Sequence, residues 1–299
     1  MVLLQDNRPS FLFSVFVLLA LMAFYAVAGS VLLMVIPGGM TAFYDPVEGS
    51  SQVVSAMRFS QVAAQVLVLG LPVLLLAAMH TRELAPLSWK SLEFLGVSRS
   101  VSWRQLVFGV LGMISLQPLL YSVIELQDFF LWPALGAAGA EVIESRKLLD
   151  VMIDRLAGAH SIGEAAVVSV VLAFTPALCE ELLFRGYLQQ NWYRSLSPSG
   201  SVLFTGFVFA VFHLSVANLV PLMILGWYIG YIFMKSGNLA VPFSVHLFNN
   251  LAALVVLHAF GSSPEEPYGL IFSFWWWVAV AGGLLLFLFF IRRFRTACS

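Results

Sequence analysis

Long apolar runs dominate the hydrophobic pattern of this chain, and its charged residues gather between them. Eight runs are long enough to form membrane-crossing helices, because about 20 apolar residues span the hydrocarbon core. The pattern therefore predicts an all-α polytopic membrane helix bundle of about eight transmembrane helices. The predicted spans are 11–36, 61–80, 105–124, 164–190, 199–216, 219–235, 239–258 and 270–291.

The first apolar run has two features of a secretory signal peptide. Arg8 precedes it, and Ala26-Val27-Ala28 resembles a cleavage site. The run nevertheless continues without interruption to Ile36. This length predicts a span that the mature protein retains.

Composition supports a membrane protein. Hydrophobic residues make up 60% of the 299 positions, charged residues only 10%, and the mean hydropathy is +0.92. The net charge of −1 gives no sign of a nucleic-acid partner. The two cysteines, Cys179 and Cys298, form no disulfide framework. Because no repeat or linker interrupts the chain, we expect a single membrane domain over residues 1–299.

The distribution of basic residues predicts the orientation of the chain. With eight spans both termini lie on one side, and that side receives eleven lysines and arginines against four on the other. The positive-inside rule places the richer side in the cytoplasm. We therefore expect a multi-pass protein of a bacterial inner membrane, with both termini cytoplasmic and membrane lipid around it.

Two long loops carry predicted helices of their own. In residues 81–104, the apolar residues of 92–97 predict a short helix at the cytoplasmic interface. In residues 125–163, the stretch from Glu141 to Leu156 has apolar residues at helical spacing among charges, which predicts a surface helix outside.

Few ionisable residues fall inside the predicted spans. Only Glu180, Glu181, His213 and His246 do so, with Arg185 near a boundary. Ionisable groups in hydrocarbon are costly, so such residues are candidates for function. All five lie between positions 180 and 246, on the fourth, fifth and seventh spans, and scattered structural residues would not cluster in this way.

Loop spacing predicts that two of these residues lie at the same depth. Residues 195–200 (Ser-Leu-Ser-Pro-Ser-Gly) have the composition of a turn between the fourth and fifth spans. The sequence midpoint of Glu180 and His213 falls inside this turn. In an antiparallel hairpin the two side chains are therefore level.

Helical spacing then separates the two adjacent glutamates. Glu181 and Arg185 are four residues apart and can pair on one helix face. This leaves Glu180, on a different face, free for chemistry. Pro176 removes a backbone hydrogen bond four residues before Glu180 and predicts a kink next to the site.

The same spacing links the remaining candidates in two further pairs. Phe209 shares a face with His213, and His246 shares one with Asn250. Asn249 can substitute for Asn250 in part, because both lie near His246, but helix facing favours Asn250.

Glutamate, histidine and asparagine in a dry cavity suit hydrolysis. Glu180 can act as a general base toward water, and His213 can orient that water. His246 and Asn250 can donate hydrogen bonds to an oxyanion. Alternatively, Glu180, His213 and His246 could hold a zinc ion with water in the fourth position. The sequence contains neither HExxH nor GxGD, which disfavours those zinc and aspartyl protease mechanisms.

Three motifs at these positions resemble the CPBP family of intramembrane proteases, which includes the CAAX-prenyl proteases, bacteriocin-processing proteases and the Ras-converting CAAX endopeptidase. EExxxR stands at residues 180–185, FxxxH at 209–213 and HxxxN at 246–250. Their order and spacing match over a catalytic core of about residues 164–258. The first three spans and the tail match only as generic membrane helices.

The resemblance implies an eight-helix protease with a conical catalytic cavity open toward the cytoplasm and lipid. It implies that Glu180 is the base, that His213 assists the water, and that His246 and Asn250 bind the oxyanion. Glu181, Arg185, Phe209 and Asn249 are supporting residues. The family is described as metal-dependent and as glutamate-dependent, so a divalent metal such as zinc remains an alternative.

The substrate implied is a membrane-associated peptide or protein, either prenylated or bacteriocin-like. Two other classes of function remain open. Some members of the family serve as non-catalytic scaffolds or bacteriocin immunity proteins. Glutamate and histidine inside spans also occur in proton-coupled transporters, although the inverted repeats typical of such transporters are absent from this sequence.

Overall fold

The computed structural model describes residues 8–35, 51–261 and 269–298, and all the regular structure in this part of the chain is helical. This confirms the all-α class. Besides a short 3₁₀ turn at Leu270–Phe272, the described helices are α1 (Phe11–Val35), α2 (Ser51–Thr81), α3 (Trp89–Phe94), α4 (Trp103–Ala134), α5 (Ala137–Ala157), α6 (Ile162–Trp192), α7 (Pro198–Phe212), α8 (Leu219–Ser236), α9 (Ala240–Phe260) and α10 (Phe274–Cys298).

Seven of the described helices are long and apolar enough to cross a membrane, namely α1, α2, α4, α6, α8, α9 and α10. The chain is therefore an integral, multi-pass membrane protein. The remaining predicted span, the fifth, corresponds to α7, which has only 15 residues. At 1.5 Å per residue this helix is about 22 Å long, shorter than a hydrocarbon core of about 30 Å.

The fifth predicted span ends earlier than expected, at Phe212 rather than at residue 216. Leu214 adopts a left-handed backbone conformation (φ 52°), which turns the chain out of the helix. His213, expected inside a span, therefore lies at the end of α7. For the first span, α1 runs to Val35, and the predicted last residue, Ile36, lies outside the described residues.

Both helices predicted in the long loops are present, with shifted boundaries. The first, α3, occupies Trp89–Phe94 rather than 92–97 and buries Phe94 in the main core. The second, α5, begins four residues before the predicted start and ends one residue after the predicted end. It is anchored by Arg58, whose Nε donates to the Leu156 carbonyl (2.9 Å).

Prolines coincide with wide π-helical turns in the three longest helices. π turns cover Gln65–Gly70 in α2, Gln127–Leu131 in α4 and Val170–Phe174 in α6. Each ends two residues before a proline, at positions 72, 133 and 176. A proline inside a helix lacks an N–H and clashes with the carbonyl four residues earlier, and a wider turn removes that clash. At Pro176, where the sequence predicts a kink, the π turn ends at Phe174, six residues before Glu180.

The connections between helices define two ends of the bundle. At one end, α6 stops and α7 starts, and Arg8 donates to the side chain of Asn191 (3.0 Å). We call this the basic end. At the other end, α6 starts from Ser161, whose hydroxyl accepts from the Glu164 N–H (3.2 Å). We call this the α5 end, because α5 lies there.

A glycine pair brings α7 and α8 into backbone contact. A Cβ placed on Gly226 would lie 2.9 Å from the Cα of Gly206. A Cβ on Gly230 would lie 2.9 Å from Oε1 of Gln189 on α6. Gly226 and Gly230 therefore set the distance between α6, α7 and α8.

This contact generates a stability prediction. Gly226→Ala should destabilise the protein by about 1–3 kcal/mol, because the new methyl group meets backbone atoms that have no freedom to move aside. Gly282→Ala is the matched control, since a Cβ there has no neighbour within 4 Å. Thermal unfolding of both variants in detergent measures the difference. Equal midpoints for the two variants would contradict the close packing.

Candidate active site

Glu180 and Glu181 are both buried on α6, at 6% and 0% exposure. This helix contacts α2, α7, α8 and α9, so its acidic pair lies at the centre of the bundle. Polar groups at this depth are stable only when other protein groups compensate them. The partners of each carboxylate therefore indicate its role.

Glu181 binds two partners with its two oxygens. Its Oε2 lies 3.3 Å from Nε of Arg185, as an ion pair without hydrogen-bond geometry, and both side chains are fully buried. Its Oε1 accepts from Nδ1 of His246 on α9 (2.8 Å). The sequence predicts the first contact but not the second. Glu181 is therefore more than the partner of Arg185, because it also fixes the orientation of His246.

Arg185 joins the first motif to α7 and α8. Its Nη2 donates to the carbonyl of Gly226 (3.2 Å), and its guanidinium lies 4.7 Å from the ring centre of Phe209. Phe209 in turn makes edge contacts with the rings of His213 and His246, at 4.7 and 5.9 Å between centroids. Phe209 thus packs against the guanidinium of Arg185 and against the imidazole rings of both histidines.

Glu180 faces both histidines. Its Oε2 lies 3.9 Å from Nε2 of His213 and 4.0 Å from Nε2 of His246. These distances exceed a hydrogen bond, and among the described residues Oε2 has no hydrogen-bond partner. The equal depth that loop spacing predicts for Glu180 and His213 agrees with this contact.

The tautomers of the two histidines follow from their other nitrogens. Nδ1 of His213 lies 2.8 Å from the Phe209 carbonyl, which can only accept, so this nitrogen carries the proton. Nδ1 of His246 carries a proton for the same reason, because it faces the carboxylate of Glu181. In neutral imidazoles both Nε2 atoms then present lone pairs toward Glu180. Three acceptor atoms converge on one small space, and a water molecule there can donate to two of them.

The same donor set has the chemistry of a zinc site but not its dimensions. Two nitrogens and a carboxylate oxygen are ordinary zinc ligands, and zinc-bound histidines often donate their other N–H to a carboxylate, as His246 does to Glu181. Ligand atoms on one tetrahedral zinc lie about 3.3 Å apart, so these side chains would have to move closer. Within the described ranges, no group of three or more His, Cys, Asp or Glu residues has metal-binding geometry.

The two asparagines of the third motif differ in their contacts. Asn249 accepts at Oδ1 from Nε2 of Gln117 on α4 (3.2 Å). Asn250 lies one turn after His246 on the same face of α9, and its Oδ1 accepts weakly from Asn249 (3.5 Å). Asn249 therefore faces α4, whereas Asn250 keeps its Nδ2 available on the face of His246.

One contact of Glu180 was not expected from the sequence. Nε2 of Gln65, on α2, donates to Oε1 of Glu180 (3.4 Å) and lies 3.5 Å from the hydroxyl of Tyr25 on α1. Gln65 is buried, and its Oε1 has no partner among the described residues. The available signal was a glutamine inside an apolar span, and a search limited to ionisable groups overlooks it.

A cavity of about 760 Å³ adjoins the site at the α5 end of the bundle. We call it the outer chamber. His213 and the connection after it, residues 214–217, form one wall, and α5 forms the other. Arg146 of α5 also forms an ion pair with Asp128 (2.6 Å) at this end. The outer chamber therefore connects the partly exposed His213 with α5.

Comparison with known proteins supports the family resemblance. Residues 162–252 match the family model described as Rce1-like, type II CAAX prenyl endopeptidase, and this segment contains all three motifs. Neither a curated protein nor a solved structure matches the chain. Tyr25, Gln65 and the outer helix α5 lie outside the matched segment.

The contacts of the two glutamates predict different effects on stability. Glu181→Gln leaves the buried guanidinium of Arg185 without its counter-charge, which should cost about 3–5 kcal/mol of folding free energy. Glu180→Gln should cost far less, because Oε2 of Glu180 has no partner to lose. Thermal unfolding of the two variants in one detergent compares them. Similar losses in both would show that Glu181 does not hold the site together.

Proposed function

We propose that this protein, whose residues 162–252 match the model of the Rce1-like type II CAAX prenyl endopeptidases, is an intramembrane endopeptidase. It hydrolyses a peptide bond in a membrane-associated substrate. The observation that carries this proposal is the convergence of Glu180 Oε2 with the Nε2 atoms of His213 and His246, at 3.9 and 4.0 Å, next to a chamber. The matched family indicates the reaction class, and these three side chains are the groups that hold and activate the water.

The proposed mechanism begins with a water molecule between the three side chains. Glu180 accepts a proton from this water as its oxygen attacks the carbonyl carbon of the scissile bond. His213 holds the water through its unprotonated Nε2. The proton on Glu180 is then transferred to the amide nitrogen, which leaves as an amine when the carbon–nitrogen bond breaks.

His246 and Asn250 stabilise the oxyanion in this proposal. Donation from Nε2 requires a His246 that is protonated on both nitrogens, and the Glu181 carboxylate at 2.8 Å supplies the opposite charge that this form needs. Asn250 provides a second donor from the same face of α9. Glu181 thus supports the chemistry through His246 and the fold through Arg185.

Cleavage in membranes tests the role of Glu180. We expect Glu180→Gln to reduce the rate about 10²–10⁴-fold, the range for loss of a general base, while the protein remains folded. Mass spectrometry of membrane peptides from cells with wild type, Glu180→Gln or the exposed control Glu93→Gln should show uncut substrate only with Glu180→Gln. Identical peptide profiles in all three would exclude the endopeptidase and favour a scaffold or immunity protein. Proton-driven uptake into vesicles that depends on Glu180 would instead indicate a transporter.

A bound divalent metal would polarise the carbonyl and activate the water at the same position, with Glu180, His213 and His246 as its ligands. Because their spacing is too wide for a closed zinc shell, we expect cleavage by the purified protein to survive a strong chelator. Elemental analysis gives an independent measurement. Stoichiometric zinc that is lost in His213→Ala, together with activity that chelation removes, would establish the metal mechanism instead.

The basic residues support a cytoplasmic position for both termini. They lie mainly at the end of the bundle where α1 begins and α10 ends. A bacterial inner membrane remains our expectation for this protein.

A further inference from the structure

The outer chamber exists because two helices of the site are short. The connection between α7 and α8 lies about 22–27 Å from the basic end, since these helices have 15 and 18 residues. Their neighbour α6 has 31 residues and extends for about 46 Å. The shorter pair therefore leaves a recess at the α5 end, with His213 at its floor and α5 above it.

On the opposite side of the site the described residues pack densely. Phe184, Tyr187 and Trp192 follow the acidic pair along α6 toward the basic end, and each has 0% exposure. Phe94 of α3 packs into the same core. The guanidinium of Arg8 covers the Phe94 ring at 4.2 Å and donates to its carbonyl. Buried aromatic side chains of α6 and α3 thus lie between the acidic pair and the basic end.

The two ends differ strongly in basic residues. Ten lysines and arginines lie at the basic end and four at the α5 end, with Arg185 inside the bundle. The ten are Arg8, Arg82, Lys90, Arg99, Arg104, Arg194, Lys235, Arg292, Arg293 and Arg295, and the four are Arg58, Arg146, Lys147 and Arg155. The positive-inside rule places the basic end in the cytoplasm and the α5 end outside it.

We infer that substrates reach His213 from the extracytoplasmic side, through the outer chamber. This inference rests on the proposed function for the meaning of the site. It differs from the cytoplasm-facing cavity that the family resemblance implies. Two expectations therefore conflict, namely that the basic residues lie in the cytoplasm and that the cavity opens to the cytoplasm. A chamber at the α5 end faces the cytoplasm only if the ten basic residues at the opposite end lie outside.

The chamber also indicates the class of substrate. Its wall is largely apolar, which suits an extended, apolar stretch of polypeptide beside a membrane anchor on the extracytoplasmic side. The apolar lining residues are Val142, Leu148, Leu149, Met152, Leu214 and Val216. A soluble peptide would gain less from this surface, because burial of its polar groups would not be compensated there.

Thiol labelling tests this inference without any substrate. In a Cys298→Ser background, single cysteines replace Val216 in the chamber wall, which is 59% exposed, or Lys90 at the basic end, whose side chain is 72% exposed. A membrane-impermeant maleimide is applied to sealed spheroplasts and then to permeabilised ones. Leu148→Cys, on the α5 side of the chamber, is a second probe in case Val216→Cys folds poorly. The parent with Cys179 alone gives the background.

We expect the chamber cysteines to react in sealed spheroplasts and Lys90→Cys to react only after permeabilisation. The reverse pattern would overturn the inference, as would chamber cysteines that stay unreactive until the membrane is opened, or reaction of both ends in sealed spheroplasts. Each of these labelling patterns shows only on which side of the membrane a position lies, and none depends on whether the protein cleaves a substrate.

Cleavage after labelling tests the chamber as the route. A maleimide adduct on Val216→Cys should slow the release of peptides at least tenfold, whereas an adduct on Lys90→Cys should not. Unchanged release with the chamber adduct would overturn the route. If wild type and Glu180→Gln release the same peptides, the proposed function fails, while the labelling pattern still decides which way the chamber opens.

Discussion

A buried negative charge with two partners organises this protein. Glu181 has no exposure, and at that depth an ionised carboxylate persists only with compensation from protein groups. Arg185 supplies the positive charge, and His246 supplies a hydrogen bond at 2.8 Å. Through the guanidinium, the contact extends to the Phe209 ring and the Gly226 carbonyl. The three motifs are therefore one packing unit, although they lie on separate helices.

Because Glu181 is committed to this unit, its neighbour Glu180 remains free of strong partners. Its Oε2 faces two imidazole nitrogens across gaps of 3.9 and 4.0 Å, and among the described residues only Gln65 donates to its other oxygen. An unpaired buried acceptor is unfavourable for folding, so its presence at the centre of the bundle is typical of a functional group. Stability and chemistry are thus divided between adjacent residues of one helix.

Backbone irregularities place these groups. The π turns before the prolines of α2 and α6 alter the direction of side chains that a regular helix would present elsewhere. Gln65 begins the first of these turns, and Glu180 follows the second by six residues. Helix length has a comparable effect, because α7 and α8 stop short of α6 and leave space above His213. The site therefore depends on where helices deviate and end as much as on which residues they carry.

Much of this arrangement is determined by the sequence itself. Apolar runs predict the helices, burial of charge selects Glu180, Glu181, His213 and His246, and four-residue spacing pairs Glu181 with Arg185, because these rules act within one helix or along one hairpin. The contact of Glu181 with His246, the approach of Gln65 from α2 and the end of α7 at Phe212 did not follow from the sequence. They depend on how far helices from distant parts of the chain rotate and approach each other. Packing across the whole bundle sets those angles and distances, and the glycines and prolines that mark close contacts and π turns do not specify them on their own.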